Sequence, residues 1–167
     1  MTGRKHTVQP IDKTRSDRLI QELDHDPYRS GLKLTEPTRC PDCGAVFHHG
    51  HWTWGDAPEE ADEALCPACL RVRDRVPAGF LTVGGEFFRE HREEILQLIH
   101  HTIEHERAEH PLKRLMGTEE REDRVIFAFT DPHVVRGVGH ALHSAYKGDL
   151  DFQYQDGDIM LRATWTR

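Results

Sequence analysis

The chain has 167 residues, of which 37% are hydrophobic and 31% charged. That length, with a mean hydropathy of −0.69, supplies apolar side chains for a modest core and no more. A formal net charge of −7 excludes a nucleic-acid binder that works by bulk positive charge, while leaving room for a local basic face.

Residues 1–18 carry Arg4, Lys5, Lys13, Arg15 and Arg18 with few apolar side chains, and read as a basic arm. Such an arm would order on an acidic partner such as RNA. A short helical phrase from Asp17 to Leu23 stops before Pro27, so residues 1–35 are predicted as an arm with one short helix. The arm lacks the apolar stretch of a secretory signal, and no run approaches the roughly 18 apolar residues that span a bilayer. The expectation is a cytoplasmic protein with no membrane partner, in a compartment where thiols stay reduced.

The strongest motif follows. Cys40-Pro-Asp-Cys43 and Cys66-Pro-Ala-Cys69 are two tight cysteine pairs. Two residues between cysteines let a turn aim both sulfurs at one point, and a second such turn completes a tetrahedron. Thiolates exclude magnesium and calcium and favour zinc, with iron the competitor because it accepts the same ligands. Four thiolates fill the coordination sphere, so the ion is expected to be structural rather than catalytic. Residues 36–84 are therefore predicted as a zinc-ribbon lobe.

His48, His49 and His51 lie between the pairs as spare nitrogen donors. Trp52 and Trp54 alternate around Thr53 as on a strand, suited to packing over the metal or to stacking on unpaired bases. Arg71, Arg73 and Arg75 follow the last ligand and could contact phosphate or solvate a short helix.

From Glu86 to Glu109 runs the clearest helix, started after Gly84-Gly85 and stopped by Pro111. Phe88, Ile95, Leu98, Ile99, Thr102 and Ile103 make one apolar stripe. With the turn PLKRLMG, residues 85–118 are predicted as a connecting amphipathic helix. His101-Thr-Ile-Glu104-His105 matches an inverted zincin pattern on that helix. A peptidase would need a third ligand and a cleft, and the helix is so rich in His and Glu that a chance match is the better reading.

Residues 119–167 read as a small β-α-β-β domain. RVIFAFT (124–130) is a strand, and Asp131 and Pro132 cap a helix that Gly148 ends. LDFQYQ alternates as a strand, Asp156-Gly157 is a hairpin turn, and residues 158–165 return. Gly137 and Gly139 would let the helix approach the sheet. No Gly-rich loop suggests a nucleotide cofactor. The fold class expected is α+β, and no catalytic constellation stands out.

The phrases DPYRSGLKLTEPTRCPDCGAVFHHGHWTWGDAP, LCPACLRVRDRVPAGFLTVGG, AEHPLKRLM and GHALHSAYKGDLDF together resemble an uncharacterised family of small bacterial double-CxxC zinc-ribbon proteins. More distantly, paired CxxC turns before a β-α-β-β unit are similar to the N-terminal part of the large-ribosomal-subunit export adaptor of eukaryotes and archaea. That resemblance implies a zinc site at Cys40, Cys43, Cys66 and Cys69 and a ribosomal or RNA partner. The adaptor's further cysteines and its ribosome-gripping domains have no counterpart here. The expected function is a non-catalytic zinc-binding adaptor, RNA- or ribosome-associated, with Trp52, Trp54, Arg71, Arg73 and Arg75 as contacts. The alternative is a zinc-stabilised protein–protein interaction module, with self-association through a sheet edge as one form of it.

Overall fold

The computed structural model describes Tyr28, residues 33–154 and residues 160–167. The expected arm, the helical phrase at 17–23 and the turn at Asp156-Gly157 lie outside the described residues. The chain is α+β, with two sheets and four helices among the described residues.

The first sheet is small. Strands β1 (Thr38–Arg39), β2 (Val46–His48), β3 (His51–Thr53) and β4 (Asp62–Glu63) pair in the order β3-β2-β1-β4. Strands of two or three residues cannot hold a sheet by themselves. The buried cluster beneath them is only Cys40, Ala45, Cys66, Ala68 and Cys69, with Trp52, Trp54, Leu65 and Leu112 packed at its margin. Helix α1 (Pro67–Asp74) leaves this lobe and leads into the second sheet.

The second sheet is the body. Its strands are β5 (Gly79–Gly84), β6 (Leu115–Glu120), β7 (Arg124–Phe129), β8 (Asp149–Tyr154) and β9 (Leu161–Thr166), in the order β6-β7-β5-β9-β8. β5 lies at the centre, antiparallel to β7 and parallel to β9. Leu81 and Val83, Val125, Phe127 and Phe129, and Leu161, Ala163 and Trp165 alternate onto one face and are buried. Phe88 of α2 (Glu86–Glu90), Ile95, Ile99 and Ile103 of α3 (Arg92–Glu109), and Val134, Val135, Val138 and Leu142 of α4 (Pro132–Tyr146) complete the same core. The opposite face carries half-buried Phe80, with the Arg162 guanidinium 5.1 Å above its ring.

The consecutive elements β7-α4-β8-β9 match the expected β-α-β-β unit. Asp131 caps α4 by accepting from the His133 amide at 2.7 Å. Gly139 does allow close approach, since a Cβ there would meet Leu150 at 3.0 Å. Gly137 instead faces Glu106 on α3.

The unit is nevertheless only part of the sheet. Residues 79–84, expected as the end of the zinc lobe, form its middle strand. The turn expected at PLKRLMG is confined to Pro111 and Leu112, and Leu115 to Gly117 instead begin edge strand β6, which pairs with β7 through a bulge between Leu115 and Gly117. Its exposed side chains give no alternation, so only the hairpin with β7 makes it a strand. The long helix is two, broken at His91, and α3 is a layer of the core rather than a connector.

The two faces of β5 and β7 should respond unequally to truncation. Phe127→Ala should cost about 3–5 kcal/mol, read from the urea midpoint, and Phe80→Ala clearly less. Equal losses would mean that the helices do not define the core.

Candidate metal centre

The two cysteine pairs are built in different ways. The first is a tight turn: the Gly44 amide donates to the Cys40 carbonyl at 2.9 Å and the Cys40 amide to the Ala45 carbonyl at 2.8 Å. Gly44 sits at φ 80°, a backbone angle that glycine adopts without strain. The second was expected as another such turn and is instead the start of α1. Cys66 is the N-cap, Pro67 the first helical residue, and the Cys69 amide donates to Cys66 Sγ at 3.4 Å. A helix N-terminus favours negative charge, so this placement suits thiolates.

The four Sγ atoms all lie within 4.8 Å of one another. The gap between Cys43 Sγ and Cys66 Sγ is 3.8 Å. A tetrahedron with metal–sulfur bonds of about 2.3 Å has edges of about 3.8 Å. The cluster therefore fits one thiophilic metal ion, held by all four cysteines.

Electrostatics make the same point. Burial drives the Cys66 thiol well above its ordinary value, and the neighbouring sulfurs add to the rise against a hydrogen bond from the Cys69 amide. Burial also raises Cys69, against the pull of Arg114. At Cys40 burial is outweighed by the amides of Cys66, Cys43 and Asp42, which bring it to about 7. Four sulfurs this close cannot all ionise without a cation among them.

Among the described residues, Arg114 brings a cation to the sulfurs. Arg114 Nη2 donates to Cys66 Sγ at 3.3 Å and to Cys69 Sγ at 3.1 Å. Burial opposes its charge, and the hydrogen bond to Cys69 with the nearby sulfurs more than restores it. Arg114 comes from the body, immediately before β6, where the Thr130 amide donates to its carbonyl at 2.9 Å. No spacing rule points to it, although AEHPLKRLM, one phrase behind the family resemblance, contains it.

The expected contact residues are used differently. Arg71 is buried, with its guanidinium 4.4 Å from the Tyr28 ring and Nη1 donating to the Val76 carbonyl at 3.1 Å. Arg73 pairs with its neighbour Asp74 at 2.9 Å, and Arg75 is the exposed C-cap of α1. Trp54 Nε1 donates to the Arg107 carbonyl at 2.6 Å, tying the metal lobe to the last turn of α3. Trp52 packs at the margin of the cysteine cluster and lines a cleft of about 350 Å³ between lobe and body, with Phe47, His51, Pro67 and Leu112.

His101, Glu104 and His105 do not converge. Among the described residues, only the four cysteines and a second set, Glu36, His48 and His49, bring three or more donor atoms within 4.8 Å of one another. Nor is any described helix long and apolar enough to cross a membrane. Compared with protein-family models, curated proteins and solved structures, the chain matches none.

Replacing Arg114 with Met keeps most of the stem and removes the charge. Metal affinity, measured by competition with a chromophoric chelator, should fall by roughly 10–100-fold, as for other residues that support metal ligands. Unchanged affinity would make the guanidinium a bystander.

Proposed function

We propose that the chain is a non-catalytic adaptor built around one structural zinc ion. The observation behind this reading is the set of four cysteine sulfurs drawn together at one point. An ion bound by all four has no position left for water or substrate, so its contribution is to folding. The lobe needs that contribution, because the cluster buried around the cysteines adds only Ala45 and Ala68 to Cys40, Cys66 and Cys69. In zinc-finger peptides the apparent binding energy is about 10–16 kcal/mol, enough to decide whether such a segment folds. The lobe is then a variant of the zinc ribbon in which a helix carries the second pair.

Zinc would act here as a fixed charge that neutralises thiolates, with Arg114 offsetting part of the surplus. The chain's work is then recognition. The exposed side of α1 and the turn after it present Val72 and Val76 beside Arg73 and Arg75. Two apolar side chains at 47% and 40% exposure fit a protein partner better than a phosphate backbone. An RNA or ribosomal partner is the second reading, supported by the exposed Arg73 and Arg75 and by the resemblance to the export adaptor.

The purified chain should retain one zinc per molecule after desalting, with none of the visible absorption of an iron–thiolate site. Cys43→Ser should lose the ion, and a strong chelator should change the fluorescence of Trp52 and Trp54 as the lobe opens. A metal-free preparation with unchanged fluorescence would end the structural-zinc reading. Co-sedimentation with ribosomes at low and high salt separates the partners. A ribosomal adaptor pellets at low salt and is released as salt rises. A chain that never pellets, yet captures protein from RNase-treated lysate, favours the protein partner.

A further inference from the structure

The second set of converging donors lies at the tip of the β2–β3 hairpin. His48 ends β2, His51 begins β3, and the two face each other in the strand register. Only His49 and Gly50 connect them, at φ 53° and 81°, so both turn residues are left-handed, as a two-residue hairpin of this hand requires. Gly50 suits its place. His49 occupies a position usually given to Asn, Asp or Gly, in a conformation uncommon for a residue with a side chain.

Glu36, from the segment before β1, reaches across this turn. Its Oε2 accepts from the His49 amide at 2.8 Å and its Oε1 from the Gly50 amide at 3.0 Å. The carboxylate is thereby fixed in orientation, and each oxygen keeps lone-pair capacity for a further partner. The rings of His48 and His49 sit with centroids 3.9 Å apart and planes inclined by 37°. All three side chains are exposed, so burial does not account for their meeting. One oxygen and two nitrogen donors, brought from two stretches of chain, lie within 4.8 Å of one another.

We propose that Glu36, His48 and His49 form a second metal site, exchangeable and solvent-facing, for a divalent transition ion such as zinc, nickel or copper. Imidazole and carboxylate together select these ions over calcium and magnesium, which prefer oxygen-only sites. Three protein ligands leave coordination positions open to water or to a donor group of a partner. The site differs in kind from the thiolate cluster: it is nitrogen-rich, exposed and incompletely coordinated, hence weaker and faster to exchange. It is independent of the adaptor reading, since no residue is shared with the cysteine cluster.

The test uses the full zinc-loaded chain and Ni²⁺ as the probe, with both metals counted by elemental analysis after equilibrium dialysis. The wild-type chain should hold one zinc and take up one nickel. The His48→Ala/His49→Ala variant should keep its zinc and lose the nickel. Glu36→Gln should weaken nickel binding by about tenfold or more. The chain has 13 histidines, so His101→Ala/His105→Ala is the control and should bind nickel as the wild type does. Absence of nickel uptake by the wild type, uptake that survives loss of His48 and His49, or uptake that disappears with His101 and His105 would each overturn the proposal. Should the double hairpin variant fail to fold, the wild-type stoichiometry and Glu36→Gln decide.

Discussion

Charge crowding among four sulfurs is the constraint around which this molecule is arranged. Cys40, Cys43, Cys66 and Cys69 bring their Sγ atoms within 4.8 Å in a lobe with almost no other core. As neutral thiols they would be a poorly packed cluster of small side chains. As thiolates they repel strongly, and burial sharpens the repulsion. The surrounding structure answers with positive ends: the Cys66 amide donates to Cys40 Sγ, the Cys69 amide to Cys66 Sγ, and the first turn of α1 lies behind the second pair. Arg114 adds a full charge. These do not neutralise four thiolates, and a divalent ion bound among them would offset most of what remains.

Arg114 also makes the cluster a concern of the whole chain. Its guanidinium lies on the metal lobe and its backbone at the start of β6. Thr130, which follows β7, donates from Oγ1 to the Leu112 carbonyl at 2.6 Å and accepts from the Arg114 amide at 2.9 Å. Trp54 reaches from the lobe to Arg107 at the end of α3. The Ala78 amide donates to the Phe129 carbonyl and the Leu161 amide to the Ala78 carbonyl, so the exit from α1 is hydrogen-bonded to both neighbours of β5. The lobe is thus joined to the sheet through α1, through Arg114 and through α3. Disturbance at the sulfurs would reach the edge strand β6 and the helix face together.

What was readable from the sequence is what local chemistry determines. Cysteine spacing announces a metal cluster, because two intervening residues limit where two sulfurs can point. Asp131-Pro132 and Gly148 bracket α4, because capping acts within a few residues. The β-branched and aromatic run at 124–129 is a strand for the same reason. The misread parts depend on distant partners. GFLTVG, expected as the end of the zinc lobe, becomes the central strand only because β7 and β9 pair with it from either side. LMGTEE is a strand only through β7. Arg114 lies 45 and 48 residues from the sulfurs it touches, beyond the reach of any spacing rule. Arg71 shares the basic look of Arg73 and Arg75 and differs from them by facing inward, which the phrase LRVRDR does not announce.

These internal uses of Arg71, Arg114 and Trp54 narrow where recognition can occur. A residue that holds the fold cannot also be given up to a partner without loosening what it holds. Of the basic and aromatic residues clustered around the cysteines, Arg71 and Trp54 are engaged inside the molecule, while Arg73 and Arg75 stay exposed and Trp52 lines the cleft. What faces solvent is of another character: Val72 and Val76 with Arg73 and Arg75 at one end of α1, and the histidine-bearing hairpin tip held by Glu36. The first is a mixed apolar and basic strip suited to a protein surface, and the second is a cluster of metal donors. Both protrude from a lobe whose shape the cysteine cluster fixes. Within the adaptor reading, the buried ion catalyses nothing and recognises nothing directly, but it sets the positions of the side chains that do.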